Sequence, residues 1–420
     1  MAENDILASV EFQMSLLLFV ALAGYLIAYR INQSAVVGII LAGIIVGPSL
    51  LGLVTYTDFV SSLGHLGAVV LLFTVGLHFK IQEITNIKYL VIAIMGIIIP
   101  WVAGYFTAVL FDFDFGASIF IGTALTATSI AITANVLKEM NRLQSDAAKA
   151  IIGAAIIDDV LSLLALSISE GIVLGELSVG SFLLILVKAI VFLVAGAFIG
   201  IKFLSRIMEK LDCTSFCRKY PESIFIMAIM VAFLYAMLAE LMGLSAIIGS
   251  FLAGVSLVQV KLKHNKSFQE GADHLQVIFA SIFFISLGVL LDFHVVSLDL
   301  IWFILVLSVV ALVTKFIGCG LPAKILGMST RNSSIIGLGM VPRGEVAMIV
   351  ALIGLNNKLI QQDTYAALVL MSLITTIIPP LILRNWFYRK KKEQAGSRAK
   401  ESVVSTSETP PETDSPGTQS

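Results

Sequence analysis

The chain has 420 residues, of which 58% are hydrophobic and only 13% charged, and its formal net charge is −1. That balance excludes a soluble domain, which must cover itself with polar surface, and the near-zero charge excludes a polyanionic partner such as a nucleic acid. The three cysteines, Cys213, Cys217 and Cys319, form no disulfide framework, and the first two read as reduced loop thiols.

Taken in chain order, windows of about 20 apolar residues predict an all-α polytopic membrane protein with about 13 transmembrane helices. The spans are 8–29, 33–50, 60–79, 87–111, 116–137, 147–169, 181–206, 222–242, 244–260, 272–291, 298–322, 332–355 and 363–385. "MAENDILASVEFQ" lacks the basic region and small-residue cleavage site of a signal peptide, so the first span is expected to be permanent. The connecting segments alternate in basic charge. One set carries Arg30, Lys80, Lys88, Lys138, Arg142, Lys149, Lys202, Arg206, Lys210, Arg218, Lys219, Lys261, Lys263, Lys266, Lys324, Arg331 and the basic C-terminus; the other carries only Lys358. The positive-inside rule places the first set in the cytoplasm and the N-terminus, with Glu3 and Asp5, outside a cell membrane. "RNWFYRKKKEQ" from Arg384 reads as a stop-transfer anchor suited to anionic lipid, and the Ser/Thr/Pro/Glu-rich tail from about Ala395 is expected to be disordered.

Three pairs of segments echo each other in order. "GIILAGIIVG" from Gly38 matches "IIGSFLAGVSL" from Ile247, "LLFTVGLHF" from Leu71 matches "IFFISLGVLLDF" from Ile282, and "GTALTATSIAITA" from Gly122 matches "GLGMVPRGEVAMIV" from Gly337. An offset of seven spans is odd, so such repeats face opposite ways through the bilayer, as inverted repeats do in secondary transporters. The last pair also resists regular helix. Thr123, Thr126, Thr128, Ser129 and Thr133 compete for backbone partners in one member, and Pro342 removes a backbone donor among Gly337, Gly339, Arg343, Gly344 and Glu345 in the other. Both spans are expected to unwind at mid-depth, where irregular backbone is tolerated only if it is buried or lines a cavity.

"IIDDVLSLL" sets Asp158 and Asp159 inside the sixth span, where each carboxylate costs roughly 2.5–3.5 kcal/mol on insertion scales. Neighbours on a helix point about 100° apart, so the two address different partners. This disfavours an intramembrane aspartyl protease, which needs two carboxylates sharing one water. A carboxylate among hydroxyls and loosened carbonyls is instead an all-oxygen site for a hard monovalent cation, and protonation releases that cation. Lys315, deep in the eleventh span, needs a carboxylate, and Asp158 is the candidate. Lys188 has no assigned role; His65, Glu11 and Glu240 lie near span ends, where solvated or structural roles fit.

"GPSLLG", "LTATSIAITA", "IIDDVLSLL", "TKFIGCGLPAKILG" and "GMVPRGEVAMIV", in this order over residues 8 to about 385, resemble the monovalent cation:proton antiporter-2 family and its sodium/proton antiporter members, with an NhaA-like fold. The resemblance implies two crossed broken helices and a panel that forms a homodimer. It divides the chain into panel helices in 1–86 and 221–292, core helices in 87–170 and 293–386, a linker helix and loop in 171–220, and a cytoplasmic tail in 387–420. It implies Asp159 as the principal cation and proton carboxylate and Asp158 as its neighbour, ion-paired to Lys315. Thr126, Thr128 and Ser129 would line the site, while Arg343 and Glu345 would stabilise the second break. The function it implies is electrogenic expulsion of Na⁺, with Li⁺ or K⁺ as alternatives, in exchange for protons and without a cofactor or enzymatic step. Kef-type potassium efflux relatives, the alternative, carry Gln before the second Asp and a cytosolic nucleotide-binding domain. This chain has Asp158 and a tail of roughly 35 residues.

Overall fold

The computed structural model describes residues 9–388 apart from 85, 175–178, 221, 261, 263–267 and 292–297. The C-terminal tail, the N-terminal Glu3 and Asp5, the basic residues Lys261, Lys263 and Lys266, and the side chain of Glu345 lie outside the described residues. Among the described residues the secondary structure is helical throughout. The main helices are α1 (Val10–Arg30), α2 (Ala35–Val46), α3 (Asp58–Gly76), α4 (Ile87–Leu110), α5 (Phe115–Ala124), α6 (Ile130–Glu139), α7 (Asp146–Leu174) and α8 (Val179–Ile199). They continue with α9 (Glu222–Leu241), α10 (Ala246–Leu257), α11 (Phe268–Val289), α12 (Leu298–Ile325), α13 (Thr330–Gly339), α14 (Glu345–Asn356) and α15 (Gln362–Ile382). Nine helices among the described residues are long and apolar enough to cross a membrane. The short α2 and α10 and the two broken pairs α5/α6 and α13/α14 account for the remaining predicted spans.

Two of these are shorter than the hydropathy of the sequence suggests. α2 and α10 have 12 residues each, which at 1.5 Å per residue is about 18 Å against a hydrocarbon core of about 30 Å. α2 stops at Gly47, whose extended backbone (ψ −177°) is what a residue ahead of a proline adopts. The turn after Pro48 is itself apolar, with Leu50, Leu51 and Leu53 exposed, so the hydropathy signal runs on past the helix. Ser34 and Ser245 cap the two short helices with nearly the same backbone angles, φ −64°, ψ 136° and φ −65°, ψ 136°.

The packing falls into two groups. In one, α2 lies against α1 and α11, α3 against α10 and α11, and α9 against α10. In the other, α12 packs on α4, α13 and α15, α4 on α5 and α7, and α14 on α5 and α15. In the first group reciprocal glycines set the spacing. A Cβ on Gly24 would lie 2.6 Å from the Gly38 carbonyl oxygen, and one on Gly38 would strike the Gly24 carbonyl. Gly76 and Gly254 stand in the same relation to the backbones of α10 and α3, as do Gly43 and Gly288 across α2 and α11. Lipid gives helices no hydrophobic reason to associate, so backbone-to-backbone van der Waals contact through small residues holds them.

Candidate functional site

Both spans expected to unwind do so, over five residues each. One break runs through 125–129 between α5 and α6, the other through 340–344 between α13 and α14. Each leading half-helix starts on a polar cap, with Asp114 accepting from Ala117 N at 2.9 Å and Ser329 from Asn332 N at 3.2 Å. The breaks lie against one another. Ser129 N donates to the Pro342 carbonyl at 2.7 Å, Thr128 Oγ1 to the Met340 carbonyl at 3.2 Å, and Thr133 Oγ1 to the Gly339 carbonyl at 2.6 Å. Contact this close needs Gly344, where a Cβ would sit 2.7 Å from Ser129 Oγ.

α7 passes the crossing as one continuous helix of 29 residues, with Asp158 and Asp159 near its middle. The two carboxylates diverge. Asp158 has no solvent exposure and accepts from Lys315 Nζ of α12 at 2.8 Å, the ammonium being equally buried. The same ammonium donates to the Thr126 carbonyl at 2.5 Å, so it joins α7, α12 and the first break. Gly96 of α4 lies beside this pair and makes room for Cys319: a Cβ there would sit 2.5 Å from Cys319 Sγ but at ordinary contact distance, 3.8 Å, from Asp158 Oδ1 and Lys315 Cε. Arg343, 1% exposed, is a second buried cation near Asp158. Its Nη1 donates to the Ala127 carbonyl at 2.6 Å and its Nη2 to the Ala311 carbonyl at 3.4 Å.

Asp159 is 7% exposed and turns the other way. It lines a cavity of about 270 Å³ together with Ser162, Ser245 and residues of α14, and that cavity ends at His65 and Glu240. It also lines a pocket of about 20 Å³ bounded by Thr128, Ser129, Ser245 and Gly344. Ser129 and Gly344 immediately precede α6 and α14. The small pocket therefore gathers two helix starts, whose unpaired N–H groups carry partial positive charge and favour a carboxylate beside them.

Of the hydroxyls expected to line the site, Thr128 and Ser129 reach this pocket. Thr126 does not, because its Oγ1 turns back to the Thr123 carbonyl at 2.7 Å and to Ser162 Oγ at 3.3 Å. Lys188, half-buried on α8, lines neither space. Ser372 and Thr376 of α15 went unnoticed in the sequence, yet their hydroxyls donate to the Arg343 carbonyl at 3.2 and 2.6 Å. The hydroxyl run in "MSLITTIIPP" was the available signal. Among the described residues no group of three or more His, Cys, Asp and Glu side chains is placed to hold a metal. The polar side chains that line the small pocket with Asp159 are the hydroxyls of Thr128, Ser129 and Ser245, oxygen donors that suit a hard cation of low charge.

Residues 16–387 match the sequence profile described as "Sodium/hydrogen exchanger, transmembrane". The chain is 34% identical to the Na⁺/H⁺-K⁺ antiporter GerN of Bacillus cereus over 390 residues, covering 92% of this chain and 98% of that one. It is 33% identical to the Na⁺/H⁺ antiporter of Enterococcus hirae over 385 residues, covering 90% and 97%. In structure it is similar to the sodium proton antiporter MjNhaP1 of Methanocaldococcus jannaschii, with a TM-score of 0.65 at 16% identity over 90% of this chain and 96% of that one. At that identity the likeness speaks for the fold.

Proposed function

The chain belongs to the sodium/hydrogen exchanger family and is a monovalent cation/proton antiporter, and we propose that its two cargoes compete for one group, Asp159. The observation that carries this reading is the division of labour within the carboxylate pair. Asp158 is held by Lys315 inside the protein, whereas Asp159 borders both the larger cavity and the small pocket between the breaks. The ionised carboxylate, with the Thr128 and Ser129 hydroxyls beside it, replaces part of the hydration shell of Na⁺, with Li⁺ or K⁺ as competitors. Protonation removes the charge that balances the desolvated cation and sets it free.

In this reading the helices α4–α7 and α12–α15 are the core, which moves against a panel of α1–α3 and α9–α11 to change access. The two broken pairs are inverted-repeat counterparts. The Asp158–Lys315 pair supports placement with the antiporter-2 branch and an electrogenic cycle, in which this pair carries a second proton besides the one that competes at Asp159. Arg343 fixes the crossing by holding the Ala127 carbonyl. The protein works as a homodimer in a lipid bilayer, with its N-terminus outside and its C-terminus cytoplasmic.

Competition for one carboxylate has a quantitative signature. In reconstituted protein, the apparent Kd for Na⁺ rises about tenfold per unit fall in pH once the carboxyl is mostly protonated, because one proton excludes one cation. Asp159→Asn abolishes pH-gradient dissipation by added Na⁺ in protein that still inserts and elutes as a single species. A Kd that stays constant from alkaline to acidic pH, or exchange that survives Asp159→Asn, overturns the assignment.

A further inference from the structure

The cavity that reaches Asp159 is polar at both ends. Its inner end is Asp159, while its outer end is formed by His65 of α3 and Glu240 of α9, whose side chains are 44% and 54% exposed. His65 Nε2 stands 3.6 Å from Glu240 Oε1, and the pair is an ion pair only when the imidazole is protonated. The remaining polar lining is Ser162 and Ser245, so among the described lining residues these three titratable side chains supply the formal charge of the space.

Other charged groups on the helices packed against α3 are remote from this end. Lys138 of α6 and Asp273 of α11 pair with each other at 2.6 Å beside the C-terminal half of α3, where Thr74 meets the Ala272 carbonyl. Glu139, Glu270 and His274 belong to that same end, and α10 carries no charge. His65 and Thr74 are nine residues apart, about 13 Å along the helix axis. Asp58 heads α3 two turns before His65.

We propose that Glu240 and His65 form a charged vestibule that sets the apparent affinity for cations arriving through this mouth, acting by their field and not by closing the path. The inference rests on Asp159 being the cation site. Low-dielectric walls focus the field of a carboxylate into a cleft and raise the local concentration of counter-ions. The Debye length at physiological salt is about 8 Å, the same dimension as a space of this volume, so salt screens the effect only in part. A cation therefore meets the Glu240 carboxylate first and is enriched before it gives up water at Asp159. A positive charge on His65 cancels that enrichment.

The test is the KM for Na⁺ of full-length protein in oriented membrane vesicles, measured from each face in turn at one fixed alkaline pH. Glu240→Gln raises KM from one face by roughly two- to fivefold, Glu240→Lys raises it further, and His65→Glu lowers it, with KM from the opposite face unmoved. The double variant His65→Glu/Glu240→Gln moves the charge without changing its total and returns KM toward the wild-type value. Raising ionic strength with N-methylglucamine chloride narrows the spread. A KM indifferent to the series, or displaced equally from both faces, overturns the vestibule while leaving Asp159 in place. Exchange persisting in Asp159→Asn instead overturns the reading beneath it.

Discussion

The two breaks are of equal length and lie against each other, yet their carbonyls, freed from the helical ladder, are satisfied by opposite means. In the first, charge does it: Lys315 Nζ holds the Thr126 carbonyl at 2.5 Å and Arg343 Nη1 the Ala127 carbonyl at 2.6 Å. In the second, neutral donors do it. Ser129 N holds Pro342, the Thr128 and Thr133 hydroxyls hold Met340 and Gly339, and Ser372 and Thr376 hold the Arg343 carbonyl. Both breaks follow the C-terminal end of a half-helix, so the difference lies in which side chains reach them. The carbonyls of Thr126 and Ala127 follow the C-terminal end of α5, where partial negative charge accumulates and a cation is the better partner. The second break lends its own side-chain cation to the first, and its carbonyls then need only hydroxyls and an amide. One buried polar crossing is thus held by a charged half and an uncharged half, and the charged half reaches directly to Asp158.

The asymmetry predicts an order of damage. Lys315→Ala strands a buried carboxylate and a carbonyl together and costs about 3–5 kcal/mol, read as a lowered midpoint of thermal unfolding in detergent. Asp158→Asn in the same background recovers much of that loss; no recovery would break the claim that stranded charge is the cause. Arg343→Met removes charged donors from Ala127 and Ala311 and costs about 1.5–3 kcal/mol. Thr376→Val removes one neutral hydrogen bond in the second break and costs about 1 kcal/mol, with Ser372 still on the same carbonyl. If the valine variant melts lower than the methionine variant, the two halves do not differ as their chemistry says.

Much of this was legible before any coordinates. The hydroxyl run and "PRGE" mark local competition with the helical ladder, a property of neighbouring residues, so both breaks could be read from the sequence. The adjacency of Asp158 and Asp159 fixes their divergence by helical geometry alone. What could not be read depends on residues brought together from far along the chain. Ser372 and Thr376 lie about 30 residues from the carbonyl they close, and Gly96 lies on a different helix from Cys319, for which it makes room. Thr126, expected to line the site, bonds the Thr123 carbonyl three residues back and Ser162, a contact that depends on the packing of α7 against the first break. Glu240 sits at the end of α9 and His65 two turns into α3, both exposed enough that solvent suffices as a partner, and only the tertiary cavity joins them to Asp159. Hydropathy also overran α2, since it counts apolar residues whatever the backbone does after Gly47.

The glycine seams among α1, α2, α3, α10 and α11 have a mechanical consequence. Where two backbones touch with no intervening layer of side chains, there are no rotamers to reshuffle and no slack to take up, so these helices resist sliding past one another. A single added methyl at Gly38 or Gly254 would meet the facing carbonyl and wedge the two backbones apart.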